Sequence, residues 1–158
     1  MRFTTKTEYG LVCLVYMAKQ PYPQVITVNE LVKSEQMSLP YIEKIFQQLR
    51  SGDIVAAHHG KEGGYSLSRH PSKINLKEIV EALEGQTFDV FCAPDLRSEI
   101  VCTHFPACGV GPIWKKTKDL LDNFYSSISL ESLTHQNGLE EPPVKVSEAG
   151  AKADEKQW

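Results

Sequence analysis

No apolar run in this chain reaches the roughly 18 residues that a bilayer span needs, so no membrane helix is expected. No secretory leader is expected either. Acidic Glu8 stands just before the first apolar stretch, and no small-residue cleavage site follows it. The expected location is therefore the cytoplasm, where thiols stay reduced. Cysteine is sparse, with 4 in 158 residues, and no two of them form a C-x2-C pair. That removes the thioredoxin-type redox motif and the regular zinc knuckle. There is no phosphate-binding loop and no cysteine–histidine pairing of the kind that marks an enclosed nucleophile, so an enzyme is not expected. Nor is there a bulk excess of positive charge: the net charge is −3.

What is present is unevenly spread. Residues 1–77 carry ten Lys/Arg against six Asp/Glu, a net of +4, and residues 78–158 carry seven against fourteen, a net of −7. A mildly basic first half joined to an acidic second half suggests two jobs. Apolar content of 41% and charged content of 23% suit one globular domain with a real core.

Thr5-Lys6-Thr7-Glu8 has the form of a capping box, and a helix is expected from there to about Lys19. Its apolar residues Tyr9, Leu11, Val12, Cys13, Leu14, Val15, Tyr16 and Met17 run nearly all round, which predicts burial. Cys13 among them reads as a small core residue. "QPYPQ" then breaks the chain. A short helix is expected over Val28–Glu35, then a three-residue connection, Gln36-Met37-Ser38. Ser38 can cap a second helix that carries Pro40 in its first turn, where a missing N–H costs nothing. Leu39, Ile42, Ile45, Phe46 and Leu49 recur at helical spacing until Ser51-Gly52. Two short helices with a tight turn form a helix-turn-helix pattern.

"DIVAAHHGKEGGYSLSRHP" follows, with strands expected at Ile54–His58 and Tyr65–Ser68 around a Gly-rich tip. The tip offers His58, His59 and Lys61 to phosphates or a minor groove. The expected fold is therefore mainly α with a small β wing: a winged helix-turn-helix. "NLKEIVEALEG" adds an amphipathic helix with Leu76, Ile79, Val80 and Leu83 on one side. Another helix is expected from Pro112 to about Ser127, with Trp114, Thr117, Leu120 or Leu121, Phe124 and Ile128 along a stripe. That stripe needs a partner. A second copy of the chain is the economical one, because a twofold homodimer also suits a pseudo-palindromic operator in double-stranded DNA. The expected organisation is a DNA-binding winged domain at 1–85, a cysteine-bearing loop at 86–111, a dimerisation helix at 112–134 and a disordered polar tail at 135–158.

Between residues 91 and 111, "FCAPDLRSEIVCTHFPACGVG" places Cys92, Cys102 and Cys108 among prolines and glycines, with the spacing C-x9-C-x5-C. With the opening "MRFTTKTEYGL", the stretch "SLPYIEKIFQQLRSGDIV" and the wing "HHGKEGGYSLSR", this makes residues 1–135 resemble the Rrf2 family of bacterial transcription regulators. The resemblance implies a winged-helix dimer, often holding an iron–sulfur cluster, among regulators of cluster assembly, iron homeostasis or the nitric-oxide response. It places DNA contacts at Arg2, Lys6, Ser38, Pro40, Tyr41, Glu43, Lys44 and Gln47, and at His58, His59 and Lys61 of the wing. Gln47 can pair with adenine, Lys44 with guanine or phosphate, and Glu43 can accept from cytosine. The cluster-assembly members carry arginine where this chain has His59, and a neutral histidine grips phosphate less strongly.

The resemblance also implies that Cys92, Cys102 and Cys108 ligate the cluster. The histidine that supplies the fourth ligand in the cluster-assembly members is replaced here by Gly111, which removes that mode. Three sources stay open. Other members use a carboxylate near the N-terminus of the partner subunit, and the matching residue here is Glu8, whose ordinary role would be to close the capping box. His104 lies between two of the cysteines, and an external water or small thiol is the third. Loss of the histidine favours [4Fe–4S] over [2Fe–2S]. An irregular zinc site, or a cluster-free thiol regulator acting through a protein partner, are the alternatives.

Overall fold

The structure is a computed structural model, and it describes residues 4–60, 63–87 and 108–135. Among the described residues, five α-helices and a two-stranded wing follow in the order α1 (Thr5–Ala18), α2 (Val28–Glu35), α3 (Leu39–Ser51), β1 (Val55–His58), β2 (Gly64–Leu67), α4 (Leu76–Glu84) and α5 (Val110–Ser127). The fold is mainly helical with an antiparallel wing, as expected, and the strands lie within a residue of the predicted positions.

Local chemistry explains most of the boundaries. Thr27 caps α2 in a reciprocal box: its hydroxyl accepts from the Glu30 amide at 3.2 Å, and the Glu30 carboxylate accepts from the Thr27 amide at 2.7 Å. α2 ends at Gln36, whose φ of 54° is left-handed, and this turns the chain sharply toward α3. Pro40 lies in the first turn of α3, and Gly52 follows its end. Ser38 holds the N-cap position as predicted, but its side chain makes no capping hydrogen bond. Asn75 and Glu78 form a second capping box at the start of α4.

α1 departs from its predicted start. Its N-cap is Thr4, one residue earlier than the box requires, and no side chain of its own first turn caps it. Glu84, at the far end of α4, takes that place. Its carboxylate accepts from the Thr4 amide at 3.0 Å and from the hydroxyls of Thr4 and Thr7, and Lys6 stands 4.0 Å away. Glu8 is left exposed, with no hydrogen bond or ion pair among the described residues. α1 is also less enclosed than its composition suggests. Cys13, Leu14 and Met17 are buried, whereas Tyr9 and Val12 are exposed.

The core lies where α1, α3 and α4 meet beneath the wing. Leu14, Leu31, Ile42, Ile45, Phe46, Leu49, Ile54, Ile74, Ile79 and Leu83 are enclosed there. Leu39 is the exception on the α3 stripe, exposed at the first turn. α1 and α4 touch closely at Gly10, where an added Cβ would come within 2.6 Å of Leu83 Cδ1. β2 is held to the body by a bridge between Ile26 and Tyr65, with mutual backbone bonds of 2.8 and 2.9 Å. Tyr65 also lies against Phe46 of α3, ring centroids 4.8 Å apart.

After α5 the chain returns to this core. Ser129 bridges Asn75, the Leu76 amide donates to Ile128 O at 2.9 Å, and the Leu130 amide donates to Ile74 O at 2.8 Å. Ile128 and Leu130 are buried, and a single 3-10 turn, Ser132–Thr134, follows. Among the described residues no helix is long and apolar enough to cross a membrane.

Candidate nucleic-acid interface and cysteine site

The outward face of α3 is set by what the inward face buries. With Ile42, Ile45, Phe46 and Leu49 turned into the core, a period of 3.6 leaves Pro40, Glu43, Lys44, Gln47 and Arg50 outside, and all five are exposed. Ser38 is exposed just ahead of them. The side chains of Glu43, Lys44 and Gln47 make no hydrogen bond or ion pair among the described residues. Their donors and acceptors are thus free to meet base edges or phosphates. Thirteen residues give α3 a length of about 20 Å, on the scale of a major-groove reading helix.

Tyr41 is half-buried. It lies edge-on to Tyr9 of α1, ring centroids 5.7 Å apart and planes at 89°. This contact joins α1 to the exposed helix and was missed in the sequence. Its only sequence signal is an aromatic in the first turns of each helix, and the pairing is tertiary. At the wing, His58 and His59 are exposed, and His58 Nε2 lies 2.8 Å from the hydroxyl of buried Ser66, which anchors its ring. Gly60 follows with a φ of 125°, a turn that favours glycine. Lys6 is half-buried beside Glu84. Arg2 and Lys61 lie outside the described residues.

Of the predicted metal ligands, Cys92, Cys102 and the alternative His104 lie outside the described residues. Cys108 is a half-buried free thiol two residues before α5. Glu8 is exposed on α1. Among the described residues no three His, Cys, Asp or Glu side chains gather into a metal site. Cys13 is a different kind of thiol. It is fully buried, and burial, aided by the negative charge of Glu35, pushes it up to about 12, so it stays a neutral core residue near pH 7.

α5 presents two unlike faces. Tyr125 is buried toward the body, and Leu121 and Asp122 are half-buried. Away from it, Ile113 is 63% exposed and Leu120 is 60% exposed, with Val110, Trp114 and Phe124 also open. The predicted stripe is therefore split: Trp114, Leu120 and Phe124 are exposed, Thr117 and Leu121 half-buried, and Ile128 buried.

Comparison with known proteins agrees with this architecture. The family described as Rrf2, iron-dependent transcriptional regulator, matches residues 3–136. An HTH-type transcriptional regulator of Neisseria meningitidis is 25% identical over 136 residues, covering 86% of this chain and 89% of that protein. The HTH-type transcriptional regulator IscR of Photorhabdus laumondii is 27% identical over 135 residues, covering 85% and 80%. Among solved structures, CymR, the global cysteine regulator of B. subtilis, superposes with a TM-score of 0.67 at 25% identity, covering 85% of this chain and 96% of that one. An IscR from T. potens gives 0.61 at 24% identity, covering 84% and 86%. A wing beside an open recognition helix, and a family match over most of the length, lead to one conclusion: the chain belongs to the Rrf2 family of DNA-binding transcriptional regulators and is not an enzyme.

Proposed function

We propose that the protein is a homodimeric regulator of transcription that binds a pseudo-palindromic operator through Ser38, Pro40, Tyr41, Glu43, Lys44 and Gln47, with Arg2, Lys6, His58, His59 and Lys61 on the flanking backbone or minor groove. The observation that carries the DNA reading is the exposed polar face of α3, unpartnered among the described residues, beside the exposed wing histidines. The dimer is supported by Ile113 and Leu120, two large apolar side chains more than half exposed on one helix. On this reading the chain divides by job into the winged part at 1–85, the cysteine loop at 86–111, the dimer helix at 112–134 and the tail at 135–158.

The signal is read through an iron–sulfur cluster held by Cys92, Cys102 and Cys108, with Glu8 of the opposite subunit as fourth ligand and [4Fe–4S] favoured. Three thiolates are a fitting donor set for such a cluster. Glu8 is supported by its release from capping: with Glu84 holding the start of α1, its carboxylate is exposed and has no partner among the described residues. A carboxylate is a harder ligand than thiolate and more easily displaced, which suits a labile sensor. His104 remains the alternative. When bound, the cluster would supply the redox- and ligand-sensitive chemistry. The chain's own part is to hold it and to present α3.

The test is anaerobic purification, a visible spectrum, and promoter binding by the cluster-loaded and cluster-free forms. A coloured, iron-containing dimer whose DNA affinity differs between the two forms is expected. A colourless, iron-free protein that binds DNA as tightly as any reconstituted form would sink the cluster reading. The likeness to a global cysteine regulator favours a second reading, in which the same thiols act without a cluster, through a protein partner. DNA binding that responds to that partner and to thiol oxidation, but not to iron, would select it.

A further inference from the structure

α5 is fixed to the body unevenly. Its C-terminal end is stitched down by the Asn75–Ser129 bridge and by buried Tyr125 and Ile128. Toward its N-terminal end, Val110, Ile113 and Leu120 are exposed. Among the described residues, the helix is held to the body toward its C-terminal end. Side-chain packing at that end sets the helix direction only to within about 15–20°. Directional polar contacts farther along the helix can narrow it.

Asp122 supplies it. Its carboxylate accepts from the hydroxyl of Thr87 at 2.5 Å and lies 3.3 Å from the ammonium of Lys77 on α4. Lys118, one turn back on α5, donates to it at 2.5 Å. Thr87 is only 3% exposed and the Asp122 side chain 15%, while the Lys77 and Lys118 side chains that meet it are 28% and 33% exposed. Burial pushes the Asp122 carboxyl up, but the bonds from Lys118, Thr87 and Lys77 outweigh it and hold it below the usual carboxylate range. Three parts of the chain meet at this one group: α4, α5 and the stretch just after α4.

We propose that Asp122 is a positioning residue that sets the direction in which α5 leaves the winged body, and thereby the half-site spacing that the dimer accepts. The assignment rests on the reading of α5 as the dimer helix. The leverage is sufficient. Twelve residues separate Asp122 from Val110, about 18 Å of helix. A tilt of about 10° moves the far end by about 3 Å, close to the rise of one base pair. Two recognition helices must sit one DNA turn apart, so an unset angle blurs the register between half-sites.

The test uses the full-length chain. Wild-type protein selects its site from a duplex pool with a randomised centre. Inverted repeats of that site, stepped one base pair in spacing, are then titrated with wild type, Asp122→Asn, Asp122→Glu and the milder Thr87→Val. Wild type is expected to prefer its selected spacing by about tenfold over the neighbouring ones. Asp122→Asn and Thr87→Val should bring that preference to about threefold or less while leaving affinity for a single half-site unchanged. Asp122→Glu should keep a preference, because its charge still meets Lys77 and Lys118. A merely structural role would lower the unfolding temperature and leave the spacing preference alone. A dimeric Asp122→Asn protein with an unaltered preference overturns the assignment, as does a wild-type dimer indifferent to spacing. A monomeric wild type, read by light scattering, overturns the dimer reading and the assignment with it.

Discussion

Ile42, Ile45, Phe46 and Leu49 of α3 are enclosed entirely by their own chain, whereas Ile113 and Leu120 of α5, on an equally regular helical stripe, stand more than half exposed. Both stripes obey the same period. Periodicity tells which residues of a helix share a face, and it is silent on whether that face is covered by the same chain or by another. The difference shows in how each helix is anchored. α3 lies against α1, α4 and the wing, while α5, among the described residues, meets the body through α4 and its own C-terminal end. A substitution on α3 should therefore report on folding, and one on α5 on assembly.

The largest effect should come from α3. Phe46→Ala removes a fully buried ring that also supports Tyr65 of the wing, and should cost about 3–5 kcal/mol in denaturant unfolding. On the proposed reading of α5 as the dimer helix, Ile113→Asp combined with Leu120→Asp should convert dimers to monomers in light scattering, with a loss of about 2 kcal/mol or more of association energy. The monomer's own fold should persist. If this double variant unfolds the protein instead, α5 belongs to the core in the same sense as α3 and the comparison fails.

The junction between α1 and α4 sharpens it at a smaller scale. Glu84→Gln replaces a carboxylate that ties two elements of the body together, and should cost about 1 kcal/mol. Burial pushes the Glu84 carboxyl up, but hydrogen bonds from Thr4 and Thr7 and the charge of Lys6 bring it below its usual range. A carboxyl lowered by folding adds stability that is present above the ordinary carboxylate range and lost as pH falls through its folded value. The acid limb of a stability–pH profile should therefore be shallower in Glu84→Gln than in wild type. Glu8→Ala should give the smallest effect, within about 0.5 kcal/mol by thermal unfolding, because Glu8 caps nothing. A loss nearer the 0.5–2 kcal/mol of a true cap would mean that Glu8 does close α1.

These cases also separate what the sequence discloses from what it withholds. The bounds of α2, the turn at Gln36, the placement of Pro40 and the end of α3 were legible because caps, prolines and glycines act on their immediate neighbours. The wing was legible for the same reason. The cap on α1 was not, since Thr4 and Glu84 are 80 residues apart and a local motif at Thr5–Glu8 imitated the true solution. The Tyr9–Tyr41 contact and the Asp122 cluster were hidden likewise, each made of residues that look ordinary until the helices meet. Exposure of Leu39 and Val12 shows the converse: an apolar residue in a helical run need not face the core.

Leu130 gives this architecture a direction in time. It is fully enclosed in the core built by α1, α3 and α4, and its amide pairs with Ile74. A ribosome delivers the N-terminal helices and the wing first. That early product has a gap where Leu130 belongs and an unpaired carbonyl at Ile74. The winged part cannot finish packing until the last described turn of the chain has emerged, so α5 has already been made when the body closes.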